Sequence, residues 1–160
     1  MKNGRYWLDY LQHLLKANTR HGTHSPFVYR LLDEVVYPRR RAGEPRDKTE
    51  RLVSRLRNRF APNRRAADLD GAQKQRDTDF IVLDNISHTT VDLQRLSSML
   101  PQMHAGSVLV VLDIYRRAAR KRLWQRIQTM PGVTITIDFF RVGLVFFHQG
   151  QAPQNFKIRY

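Results

Sequence analysis

The sequence predicts an α/β domain whose sheet combines a parallel unit with an antiparallel hairpin. Two apolar runs, DFIVLD at 79–84 and SVLVVLD at 107–113, each end in an aspartate. Asp84 and Asp113 lie about thirty residues apart with a helical segment between them, the span of a βαβ unit. Two later runs, VTITIDFF at 133–140 and GLVFFHQ at 143–149, are joined only through Arg141, Val142 and Gly143. That link is too short for a crossover, so these strands must pair antiparallel. The wholly apolar character of 107–113 suggests a strand covered on both faces.

The first helix is read from about Tyr6 to Ala17, with Trp7, Leu8, Leu11, Leu14 and Leu15 on one side. Trp7, Tyr10 and Trp124 suit core packing better than base stacking. Ser25 followed by Pro26 marks a second helix start, because serine caps free N–H groups and proline at the first position gives up no bond. That helix runs to about Val36, burying Phe27, Val28, Leu31, Leu32 and Val35, and Pro38 ends it. A polar loop covers 39–48. The third helix, 50–60, turns Leu52, Val53, Leu56 and Phe60 inward and Arg51, Arg55, Arg57 and Arg59 outward. Residues 61–76 read as a loop or one short strand. A helix at 91–100 stops at Pro101, and another at 116–129 carries Ala119, Leu123, Trp124 and Ile127 towards the core. The tail at 156–160 alternates and suits a further short strand.

With 160 residues and 41% hydrophobic content, the chain can bury a single core. No run of 18 apolar residues exists, so no spanning helix and no membrane partner are expected. The N-terminus lacks the apolar core and cleavage site of a signal peptide. The absence of cysteine excludes disulfides and thiolate metal sites, and fits a cytoplasmic location. A net charge of +14 and a pI near 11.0 favour polyanions. The plainer reading of that charge is solubility. Arg39, Arg40 and Arg41, with Arg116, Arg117, Arg120, Lys121 and Arg126, are the candidate polyanion-binding residues; they either form one face or point several ways. No Ser/His/Asp arrangement or Walker-type loop supports a hydrolase or NTPase.

Three passages together resemble a known family: 16–28 (KANTRHGTHSPFV); 79–84 with 106–114 (GSVLVVLDI); and 124–131 with the hairpin and the ending 155–160 (NFKIRY). They resemble bacterial class I S-adenosylmethionine-dependent methyltransferases of a type common in Bacteroidetes. The resemblance covers roughly the first sixty and last eighty residues. It implies a partial Rossmann-like methyltransferase sheet: 79–84 as the fourth strand, 107–113 as the fifth, and the antiparallel hairpin as the sixth and seventh, preceded by N-terminal helices. The division is 1–60 helical, 61–77 a loop or short strand, and 78–160 the C-terminal half of the α/β unit, compact with 1–60.

Full-length relatives carry three βα units where this chain has only 61–77. Those units hold the glycine-rich turn and the ribose-binding acid. The stretch 67–72 (ADLDGA) is similar to a turn preceding the cofactor unit and is no cofactor site. Relatives read roughly D-G-N-H after the fourth strand and D-D-I-H-W after the fifth, acids resembling the metal ligands of catechol-type O-methyltransferases. Here Leu112, Ser87, Tyr115 and Arg116 replace one acid, both histidines and the tryptophan. Asp84 and Asp113 remain, with His88 one place from a lost histidine; these three are the vestigial catalytic candidates.

The plainer reading of both aspartates is capping of the following loop or helix. His21 and His24 flank Gly22 before a helix start and suit a structural turn better than an anion site. The resemblance therefore implies a degenerate methyltransferase-like binding or scaffold subunit, without autonomous methyl transfer and with no cofactor of its own. RNA is the leading polyanion. One alternative is a methyltransferase whose S-adenosylmethionine site is completed by dimerisation or a partner; another is a dedicated nucleic-acid-binding module. Loss of three strands leaves the fourth strand as a sheet edge, expected to be covered by 67–71, by a second copy or by a partner.

Overall fold

A computed structural model describes residues 4–18, 24–61, 80–84 and 90–160; the side chains at 90–92 are not among those described. It is an α/β structure with a mixed, open, five-stranded sheet. The helices are α1 (Gly4–Lys16), α2 (Pro26–Leu31), α3 (Lys48–Phe60), α4 (Thr90–Met99) and α5 (Ala118–Ile127). The strands are β1 (Phe80–Leu83), β2 (Val108–Leu112), β3 (Ile135–Asp138), β4 (Val142–Phe146) and β5 (Gln154–Lys157). Their spatial order is β1-β2-β4-β3-β5. β1 and β2 are parallel, as the helical spacer between them requires. β3 and β4 are antiparallel around a tight turn at 139–141, and β4 inserts antiparallel beside β2. β5 then adds outside β3 in parallel, so the alternating tail does form a strand, starting two residues earlier than its sequence suggests.

Strand parity sorts the core into two layers. Ile81, Leu83, Leu109, Val111 and Val145 face a layer containing α4, α5 and Tyr6 of α1. Phe80, Val108, Val110, Ile135, Ile137, Leu144 and Phe146 face the other layer, built from α2 and α3. Both faces of β2 are thus covered, which is why its sequence is continuously apolar. β3 differs. Its second face carries Thr136 and Asp138, both fully buried. Thr136 Oγ1 donates to Asn155 Oδ1 at 2.6 Å and accepts from the Gln128 amide at 3.2 Å.

Local chemistry accounts for the helix ends. Ser25 accepts from the Val28 N–H and Pro26 opens α2, as its dipeptide predicts. The end of α2 widens into a π-helical turn, Leu32–Val36, closed by a bond from Tyr37 N–H to the Leu32 carbonyl at 2.9 Å. α3 starts two residues before Glu50 because Asp47 Oδ1 accepts from the N–H groups of Thr49 and Glu50, at 2.8 and 3.0 Å. Arg55 is not on the outer face. Only 11% of its side chain is exposed, and it donates to Glu44 and to the carbonyls of Val35, Pro38 and Arg39.

α1 also departs from its sequence reading. Its apolar stripe is the outward one: Trp7 is 54% exposed, Leu8 62%, Leu11 56% and Leu15 83%. Tyr6, Asp9 and His13 face in. Periodicity defines a stripe but not which way the helix turns it, and here polar demands beneath the helix decide. Trp124 sits in the core as expected.

Among the described residues, β1 has one neighbour, β2, and no helix is long and apolar enough to cross a membrane. The stretch 67–71, expected as a cover for the β1 edge, lies outside the described residues, as do His21 and most of 61–77. At the opposite edge, Asn18 bridges to Ile158 just beyond β5.

Gly143 leaves room for the Trp124 indole. A Cβ there would lie 2.5–2.8 Å from three ring carbons, inside any permitted contact. Gly143→Ala is therefore expected to lower stability by about 1–3 kcal/mol through overpacking, read as a reduced urea midpoint at unchanged slope.

Candidate functional site

The site grows from a buried carboxylate. Asp138 ends β3 and is fully buried, so its charge must be met by donors. Tyr115 O–H, from the loop after β2, donates to Oδ2 at 2.7 Å. The Phe140 N–H donates to Oδ1 at 2.8 Å. His13 Nε2, from α1, lies 3.1 Å from Oδ1 and 3.0 Å from the Asp138 carbonyl oxygen, and as an N–H donor serves both. Burial and the neighbouring Asp138 charge push the Tyr115 phenol well above its ordinary value, which keeps it a donor. The Phe140 ring stacks on Tyr115 at 4.7 Å and meets Tyr6 and Tyr10 edge-on, both at 5.0 Å. A second polar tie joins α1 to α5: Lys121 Nζ contacts Asp9 Oδ1, and Arg5 lies 3.5 Å from Oδ2.

This arrangement sets α1 across the ends of the strands and leaves a groove between it, the 139–141 turn and the start of α3. Two adjoining hollows of about 310 and 430 Å³ form it, sharing Tyr10, Lys48, Phe139, Phe140 and Tyr160. Arg141 and Trp7 line the first; Arg39, Arg40, Arg51 and Arg159 line the second. Among the described residues no Asp or Glu side chain lines either hollow. The groove thus combines six cations with aromatic side chains and lies at the carboxyl ends of β3 and β5, on the side of the sheet where β1 and β2 also end.

Several of these cations are held by backbone carbonyls, which take their hydrogen bonds without adding a negative charge. Arg51 donates to the carbonyls of Pro45 and Arg46, and Arg159 donates twice to Leu14. Lys48 Nζ stands 5.5 Å over the Tyr160 ring, whose hydroxyl donates to the Lys48 carbonyl at 2.9 Å. The loop carrying Arg39 and Arg40 is held by the Glu44–Arg55 pair, 2.7 Å apart. The Arg55 hydrogen bond brings the Glu44 carboxyl down from 4.5 to about 2.

The residues singled out from sequence fall in different places. Arg39 and Arg40 reach the groove. Arg41 instead donates its backbone N–H to Glu44 at 2.7 Å. Arg116 pairs with Asp113 at 3.1 Å, Arg120 donates to the Leu112 carbonyl, and Lys121 holds Asp9. Arg117 is the residue preceding α5 and Arg126 is exposed in its last turn. None of these six lines the groove. Asp113 sits in a left-handed conformation, φ 52, with its N–H donating to the Arg141 carbonyl. Asp84 is exposed after β1, and His88 lies outside the described residues. Among the described residues no group of three or more His, Cys, Asp or Glu could hold a metal. His24 is exposed just before the Ser25 cap.

Sequence reasoning missed Asp138, His13, Lys48, Arg141 and Tyr160. The signal for Asp138 was an acid at an alternate position of a strand whose other residues are apolar or threonine; for the rest there was none, since they meet only through tertiary contacts.

No family model, curated protein or solved structure matches the chain.

The Glu44–Arg55 pair gives a pH prediction. A carboxylate whose pKa falls on folding stabilises above its ordinary value, and that contribution is lost as pH drops towards the folded value. Wild-type stability should therefore fall between pH 4.5 and about 2 more steeply than that of Glu44→Gln, in urea titrations across that window.

Proposed function

We propose that this chain is a truncated, degenerate methyltransferase-like protein that does not transfer methyl groups alone, and that it acts as a binding subunit whose groove takes single-stranded nucleic acid. The observation that carries the reading is the groove: Lys48, Arg39, Arg40, Arg51, Arg141 and Arg159 beside the part-exposed rings of Tyr10 and Tyr160, with no lining carboxylate among the described residues. Cations that track phosphates beside faces on which bases stack are the two components of single-strand recognition. The net charge of +14 adds long-range attraction. The methyltransferase-like ancestry rests on the quoted sequence passages, and is supported by parallel β1 and β2 followed by an antiparallel β3–β4 pair.

A second reading retains methyl transfer, with a partner chain or a second copy completing the cofactor site. One feature favours it: two non-glycine residues adopt the left-handed region, Asp113 at φ 52 just after β2 and Phe140 at φ 71 just after β3. Such conformations cluster at working sites.

Two experiments separate the readings. Calorimetric titration of nucleic-acid-free protein with S-adenosylmethionine and S-adenosylhomocysteine is expected to give no binding; stoichiometric micromolar binding contradicts the non-catalytic reading. Fluorescence anisotropy with a labelled single-stranded RNA should give a log affinity that falls linearly with log salt, by about 0.7 per phosphate contact. Arg39→Glu/Arg40→Glu and Arg141→Glu should each weaken binding about tenfold and flatten that slope. Arg126→Glu, away from the groove, should change both much less. Equal losses at all three positions would mean diffuse charge and not a groove.

A further inference from the structure

We infer that α1 docks the protein onto an anionic lipid surface through the ridge of Trp7, Leu8, Leu11 and Leu15. Trp7, Leu11 and Leu15 stand one helical turn apart on a single line, with Leu8 beside it. All four are more than half exposed, and Leu15 at 83% projects almost whole from the surface. Single exposed apolar residues need no explanation, but four adjoining ones on one helix face form a patch of the kind that marks an interaction site.

Charge and size select the occupant. Lys16 flanks the ridge on one side together with Gln12 and with Arg5, which pairs with Asp9 at 3.5 Å, and the groove with Lys48, Arg141 and Arg39 opens beyond Tyr10 on the other. The acid of α1, Asp9, is turned inward and held by Lys121. The exposed side of the helix therefore offers cations and apolar groups and no carboxylate. A second copy would set cations against cations. A stable protein interface also takes roughly 20–30 residues a side, and this ridge supplies four. An anionic membrane needs only a few inserted side chains, with Trp and Leu in the acyl boundary and Lys and Arg at the headgroups. Nucleic acid has no use for the leucines. The inference concerns a helix lying on a surface, and it does not depend on the nucleic-acid reading of the groove, because Leu8, Leu11 and Leu15 do not line it.

The molecule carries its own reporter. Of its two tryptophans, Trp124 is 1% exposed and Trp7 is 54% exposed, so a change in emission on binding reports the exposed side of α1, and because Trp7 also borders the groove the leucine substitutions below separate the two. The experiment mixes the full chain with vesicles of phosphatidylcholine alone or with phosphatidylglycerol, following co-sedimentation, tryptophan emission and acrylamide quenching. The expected result is binding to the anionic vesicles only, with a blue shift and reduced quenching. Leu8→Gln/Leu11→Gln/Leu15→Gln alters exposed positions and should keep the wild-type thermal transition while weakening vesicle binding about tenfold or more. Lys16→Glu should weaken it less and make it less sensitive to salt. Three results would overturn the inference: no binding to anionic vesicles; binding by the triple variant as tight as wild type, which would assign it to the groove; or lipid-free self-association that shields Trp7 and is abolished by the same substitutions, which would make a second copy the occupant.

Discussion

The structure depends on how a buried carboxylate is satisfied. Asp138 lies in the core at the end of β3, and its oxygens take bonds from Tyr115, Phe140 and His13. These donors come from the loop after β2, the β3–β4 turn and α1, so one charge fixes three segments. Removing a partner from such a buried charge costs about 3–5 kcal/mol. Turning α1 over would bury its leucines, each worth about 1.5–3 kcal/mol if wholly covered. It would also strip His13 from Asp138 and Asp9 from Lys121. These magnitudes are of similar size, and the structure keeps the polar contacts and leaves the apolar ridge facing outward.

The same constraint makes the groove. α1 is held across the sheet edge by its polar arc, and Tyr10 beside that arc becomes one wall. The 139–141 turn, shaped by the left-handed Phe140, becomes another and brings Arg141 to the rim. The third wall is the start of α3, whose loop is clamped by Glu44 and Arg55. Basic side chains gather here because the carboxyl ends of the strands and the N-terminal segments converge, although in sequence they are spread from Arg39 to Arg159.

Much of the sheet was legible in the sequence for simple reasons. A strand covered on both faces must be continuously apolar, as β2 is, and a three-residue link permits only a hairpin. The Ser25–Pro26 helix start needs no tertiary information either. Features set by tertiary contact were illegible. Periodicity identified the α1 stripe but not that β3 carries a polar face, Thr136 and Asp138, which requires a polar helix arc above it. Arg55 was read as solvated because its partners, Glu44 and three carbonyls, come from a loop without a pattern. The candidate site was least legible: Arg39 and Arg40 stand out by charge alone, and so do Arg116 before α5 and Lys121 within it, which the fold pairs with acids.

The most direct test of this account is hydrogen exchange on Asp138→Asn beside wild type. If Asp138 is what holds α1, the amides of α1 should lose protection by about tenfold or more, the loss of a charged buried hydrogen bond, while those of β2 and β4 keep theirs. Unchanged protection in α1 would contradict the claim that this carboxylate positions the helix. A uniform loss across the sheet would contradict the claim that α1 is docked as a separate unit.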